Sequence, residues 1–192
     1  MPPSTLRTFL ALLISDSTRR LLSQLIADLS PQLPGLKWTK PDLLHLTLAF
    51  LGDVDSQLIP ALITSASEPL RSLQPFDVHW QGLGAFPKPN RAAILWAGVS
   101  TGAQSLIDLQ RPLASALTQS GFNVDSRFAP HITLARSKRF GGRPLDLRSL
   151  IDQHRTTSFG VDHISEIVLM KSDTLPTGSI YTPLATIPLG ES

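Results

Sequence analysis

The sequence predicts an α+β chain built mainly from antiparallel strands, and three observations carry that prediction. Strand-like and helix-like segments alternate along the 192 residues without the glycine-rich phosphate loop or long parallel β–α–β series of a nucleotide-binding sheet. The strand segments are short apolar runs bounded by turn residues, whereas the helical ones place leucines at three- and four-residue spacing. A segment reading His-x-Thr-Leu occurs twice, at His45 and His131, 86 positions apart. Each copy follows an amphipathic helix and a short link containing proline, so two similar lobes within one domain over residues 1–192 are expected.

The elements follow in order. The first strand is RTFLALLI, residues 7–14; its apolar run from Phe9 to Ile14 is too short to cross a bilayer, and no small-residue cleavage site follows it. Residues 16–30, DSTRRLLSQLIADLS, set Leu21, Leu22, Leu25, Ile26 and Leu29 on one helical face, with Asp16 or Ser17 placed to cap the start. LHLTLAFLG, residues 44–52, is the next strand. A second helix is expected over Ser56 to Leu73, with Pro60 tolerated in its first turn and Pro69 limiting its end. FDVHWQGLGAF (76–86) and AAILWAGV (92–99) read as strands joined into a hairpin by the turn FPKPNRA. The third helix, Gly102 to Ser120, carries Leu106, Leu109, Leu113 and Leu117, contains Pro112 and stops at Gly121. HITLAR (131–136) is a strand, Asp146 to His154 a short fourth helix, and ISEIVLMKSD (164–173) and IYTPLATIPL (180–189) are the closing strands.

Composition removes several functional classes. With no cysteine there is no disulfide framework, thiolate metal site or thiol nucleophile, and the expected setting is a reducing cytoplasm. A net charge of +2 is too small for a polycation that coats nucleic acid. The charge is nevertheless uneven. Arg127, Arg136, Lys138, Arg139, Arg143 and Arg148 crowd around and after the second motif, opposed locally by Asp125 and Asp146. This is a candidate anion-binding rim; the plainer reading is that RSKRFGGRP, residues 136–144, is a solvated loop.

On a strand, residues two apart share a face, so His45 and Thr47 project together while Leu44, Leu46 and Leu48 point to the other side. His131 and Thr133 do the same, opposite Ile132 and Leu134. If the lobes are related by a pseudo-twofold, the two polar faces meet across a cleft. Opposed imidazoles suit a displacement at phosphorus in which one ring takes a proton from the attacking oxygen and the other protonates the leaving oxygen. Thr47 and Thr133 would donate to the non-bridging oxygens. A lone His-x-Thr on a strand is ordinarily structural, which is how His79, His154 and His163 are read. What distinguishes the motif pair is its repetition in equivalent strand contexts. Metal chelation is disfavoured because no Asp or Glu stands at a companion position on either motif strand.

HLTLAFLG and HITLAR, the latter preceded by RFAP, resemble the paired His-x-Thr signatures of the two-histidine phosphoesterase superfamily. The likeness is greatest to its RNA 2′,3′-cyclic phosphodiesterase branch, also called RNA 2′-5′ ligase. RTFLALLISD, AAILWAGV and IVLMKSD…GSIYTPL are similar to further family segments. The resemblance implies a bilobal fold, with two mainly antiparallel sheets flanking a central water-filled cleft, helices outside, and neither metal nor nucleotide cofactor. It also implies roles: His45 as proton donor, His131 as proton acceptor, and Thr47, Thr133 and Arg136 as phosphate ligands. For Arg136 a bend or strand end is required, because a regular strand would turn it away from His131. Phe9 and Tyr181 are candidates to hold a base or ribose, with core packing the ordinary alternative.

The implied activity is hydrolysis of RNA 2′,3′-cyclic phosphate ends to 2′-phosphomonoesters, with 2′-5′ ligation as its reverse. Two other readings stand beside it: a phosphodiesterase acting on cyclic nucleotides or 2′-5′ oligoadenylates, and a non-catalytic module that binds RNA ends. The expected partner is RNA with a cyclic phosphate terminus, or a cyclic nucleotide, with no membrane, no protein partner and a monomeric chain.

Overall fold

The computed structural model describes residues 4–125, 127–137, 145–176 and 178–190. Among these described residues nine strands and four α-helices follow one another as β1 (Thr5–Leu13), α1 (Asp16–Leu29), β2 (Leu36–Trp38), β3 (His45–Asp55), α2 (Ile59–Ser67), β4 (Phe76–Phe86), β5 (Ile94–Val99), α3 (Ala103–Gln119), β6 (Ile132–Ser137), α4 (Arg148–Gln153), β7 (Ser158–Ile164), β8 (Glu166–Leu175) and β9 (Gly178–Pro188). All the strand pairings among the described residues are antiparallel. The α+β class and the antiparallel sheets follow the sequence reading.

The strand order is β7-β4-β5-β6-β3-β1-β8-β9, with β2 added to β6. It divides at its middle into two four-strand lobes, β3-β1-β8-β9 and β6-β5-β4-β7. The two sheets are joined edge to edge: β3 and β6 pair through Leu46 and Ile132, both fully buried. The motif strands therefore form the seam.

The helices interlock the lobes. α1 leaves β1 of one lobe and seats on β7 of the other, where Thr18 donates to Asp162 at 2.8 Å. α3 leaves β5 and seats on β3, where the Gln110 amide donates to the Leu48 carbonyl at 3.4 Å. Leu106, Leu109, Leu113 and Leu117 of α3 are fully buried. Such a stripe, removed from water, is the main force holding helix to sheet.

Several boundaries differ from the sequence reading for local reasons. Ser15, rather than Asp16 or Ser17, caps α1 by accepting from the Thr18 amide, and the buried face is Thr18, Leu22, Leu25 and Leu29 while Leu21 is 49% exposed. The register is set by Asp162, which accepts from Ser15, Thr18 and the Trp80 indole at 2.5, 2.8 and 2.7 Å. The second helix is shorter than Ser56–Leu73: a 3-10 turn at Ser56–Leu58 precedes α2, and Glu68–Leu70 reverts to 3-10 geometry around Pro69. β7 was hidden because it carries the buried polar Asp162 and, at φ 110°, Gly160, where a Cβ would stand 2.8 Å from the Thr18 hydroxyl.

Candidate active site

β3 and β6 carry the two motifs to the seam, where Leu46 and Leu48, like Ile132 and Leu134, are buried among the core. The alternate residues are left on the opposite, concave face. There His45, Thr47, His131, Thr133 and Arg136 line one cleft of about 260 Å³. All five sequence-selected residues are thus brought together.

The two imidazoles are held alike. Nδ1 of His45 donates to the Leu43 carbonyl and Nδ1 of His131 to the Ala129 carbonyl, each at 2.7 Å and each two residues upstream. A carbonyl can only accept, so each Nδ1 carries a proton and each neutral ring presents a bare Nε2. Nε2 of His45 lies 3.0 Å from the Thr47 hydroxyl. The ring of His45 packs against Phe9 and Tyr181, at centroid distances of 5.0 and 5.3 Å, and that of His131 against Phe86 at 5.0 Å and Trp96 at 6.1 Å. Trp96 lies flat across β4: a Cβ on Gly84 would stand 2.1 Å from the indole.

Burial is the main cause that lowers both histidines below the ordinary value; the Arg136 cation lowers both further, His131 adds to the effect on His45, and the two backbone carbonyls oppose it. The free site therefore favours neutral rings. A bound phosphate anion would oppose these effects and favour protonation.

Arg136 reaches the cleft through a β-bulge. Trp96 pairs with Thr133 and Leu95 with Ala135, so Leu134 is an extra residue that resets the two-residue alternation. Leu134 and Ala135 are both buried, and Arg136, three residues after Thr133, returns to the cleft face. β3 repeats the device: Ala11 pairs with Thr47 and Leu10 with Ala49, leaving Leu48 extra. Phe50, 46% exposed, consequently follows His45 as Arg136 follows His131. The Arg7 guanidinium sits 4.7 Å from the Phe50 ring centroid, and both line the cleft with Thr39, Ser172, Thr174 and Ser179. Sequence reasoning missed these residues, although aligning the two motifs would have found Phe50. Phe9 is only 3% exposed, so it supports His45 rather than offering an open stacking face.

The basic rim divides. Arg127 and Arg148 pair with Asp125 and Asp146 at 3.2 and 2.6 Å, outside the cleft lining; Lys138, Arg139 and Arg143 lie outside the described residues. Among the described residues no group of three His, Asp or Glu side chains could hold a metal ion, and no helix is long and apolar enough to cross a membrane.

Residues 17–173 match the model of the 2′-5′ RNA ligase superfamily. The chain is 31% identical to an RNA 2′,3′-cyclic phosphodiesterase of Aquifex aeolicus over 96% of its length and 97% of that protein. It is 32% identical to one of Methanothermobacter thermautotrophicus, over 93% and 96%. In structure it is similar to E. coli LigT complexed with 3′-AMP, with a TM-score of 0.78 and 27% identity over 98% of this chain and all of that one.

Proposed function

Since the chain belongs to the 2′-5′ RNA ligase superfamily, we propose that it hydrolyses RNA 2′,3′-cyclic phosphate ends to 2′-phosphomonoesters, both lobes acting as one catalytic unit. The phosphodiesterase relatives support the activity. The observation that carries the mechanism is the pair of Nδ1–carbonyl hydrogen bonds, which fix both tautomers and leave both Nε2 atoms for proton transfer.

In this reading Nε2 of neutral His131 takes a proton from water as its oxygen attacks phosphorus. The bond from phosphorus to the 3′-oxygen breaks, and that oxygen receives the proton held on Nε2 of His45. Thr47 and Thr133 donate to the non-bridging oxygens, and the Arg136 cation offsets the charge that gathers on them. One proton enters at His131 and one leaves at His45, so proton exchange with solvent restores the pair. With a 5′-hydroxyl end in place of the attacking water, the same proton transfers break the bond to the 3′-oxygen and join the ends through a 2′-5′ link, the cyclic phosphate supplying what ATP would otherwise supply.

Turnover of a 2′,3′-cyclic mononucleotide in the presence of EDTA tests this scheme. Full activity is expected; loss of activity in EDTA that returns with a divalent cation would overturn the two-histidine mechanism.

A further inference from the structure

β2 places Lys37 directly opposite Arg136 of β6. Residues paired in this way project from the same face of a sheet, and like charges so placed are destabilising unless something lies between them. Trp38 packs into the core, so its neighbours Lys37 and Thr39 turn to the other face by strand alternation; Thr39 and Arg136 both line the cleft. Among the described residues neither Lys37 nor Arg136 has a carboxylate within salt-bridge distance, in contrast to Arg127 and Arg148. Both cations are exposed. Lys37 stands just outside the cleft lining, paired with Arg136, which is part of it.

We propose that Lys37, beside Arg136, binds a second phosphate, the phosphodiester that precedes the terminal nucleotide, and so selects a polynucleotide end over a free cyclic mononucleotide. The inference rests on the cyclic-phosphate reading above. Single-stranded nucleic acid carries its next negative charge one nucleotide away, and a lysine ammonium suits it as a point charge on a flexible stem. Backbone phosphates carry no base information, so the preference is for chain length and not for sequence.

The experiment compares a cyclic mononucleotide, a dinucleotide ending in a 2′,3′-cyclic phosphate, and the same dinucleotide with its internal phosphate replaced by an uncharged methylphosphonate. In the native protein the charged dinucleotide should show the higher kcat/KM, through a lower KM, and the methylphosphonate should lose that advantage. Lys37→Met should reduce the dinucleotide-to-mononucleotide ratio about three- to tenfold, the range of an exposed charge contact, and Lys37→Arg should restore most of it. Titration with the corresponding 2′-phosphate products reads the same ratio without turnover. Absent turnover would therefore count against the hydrolase, while the binding ratio would still judge Lys37. A ratio unchanged by Lys37→Met, or a methylphosphonate that keeps the full advantage, would overturn the second-phosphate site.

Discussion

His45 and His131 hold their rings by the same bond: in each, Nδ1 donates to the carbonyl two residues upstream at 2.7 Å. Because the partner is backbone, the tautomer is set by the course of the chain into each strand and does not depend on a neighbouring carboxylate. Two histidines so fixed differ in role only by their surroundings. His45 lies between Phe9 and Tyr181, and His131 lies against Phe86 and Trp96.

Replacing either ring should cost the whole proton transfer it performs. His45→Ala and His131→Ala are each expected to lower kcat by about two to four orders of magnitude with the fold intact, and the double variant should lose little more than either single one. Steady-state kinetics beside circular dichroism checks this. A folded single variant with near-native turnover would remove that histidine from the mechanism.

The threonines remove less. Thr47→Val and Thr133→Val keep shape and strand propensity while deleting one donor to a charged group, for an expected loss of roughly 1–3 kcal/mol apiece in kcat/KM. Unchanged kinetics in both would return these hydroxyls to a structural part.

The pH dependence follows from the lowered histidines. A neutral base and a protonated acid give a bell-shaped kcat/KM profile whose limbs belong to the coupled pair. Burial and the neighbouring positive charges displace both groups below the ordinary 6.5, so the free enzyme's optimum should lie on the acid side of that value. A protonated acid is required, and full activity retained above pH 9 would contradict a histidine in that role. Stability has a definite sign as well. Below 6.5 the unfolded chain binds more protons than the folded one, so stability falls as pH drops through the window between the unfolded and the lowered folded values. A pH series of denaturant midpoints reads this, and the fall should shrink in the double histidine variant.

Two substitutions away from the motifs test the packing account. Asp162→Ala leaves three donors, Ser15, Thr18 and the Trp80 indole, without their acceptor, and should destabilise the fold by about 2–4 kcal/mol in urea unfolding. Gly84→Ala puts a methyl group into the Trp96 ring and so displaces the wall of His131; turnover should fall roughly tenfold to a hundredfold with a smaller effect on stability. Native kinetics in Gly84→Ala would separate Trp96 from the positioning of His131.

The legible and hidden parts of the site differ in the range of the forces that set them. His45, Thr47, His131 and Thr133 were readable because strand alternation alone puts each pair on one face, and a motif repeated in equivalent settings marks that face as functional. Arg136 needed the extra residue at Leu134, a feature fixed by how β5 pairs with β6 and not by the local residues. Phe50 was overlooked for the same reason at Leu48. The α1 register and β7 turned on Asp162, a carboxylate buried through contacts far apart in sequence, and Lys37 acquired meaning only once β2 was paired with β6. The joining of the two sheets through Leu46 and Ile132 is likewise a tertiary fact that apolar patterning cannot distinguish from two separate sheets.

The central claim is tested most directly by the product formed from an RNA carrying a 2′,3′-cyclic phosphate end. Incubation with the protein in EDTA, followed by digestion to nucleotides and separation of the 2′- and 3′-monophosphates, should yield the 2′-phosphomonoester, with the product lost in both His45→Ala and His131→Ala. A 3′-phosphomonoester, or a 2′-product that persists in either folded variant, would contradict the assignment of water activation to His131 and leaving-group protonation to His45.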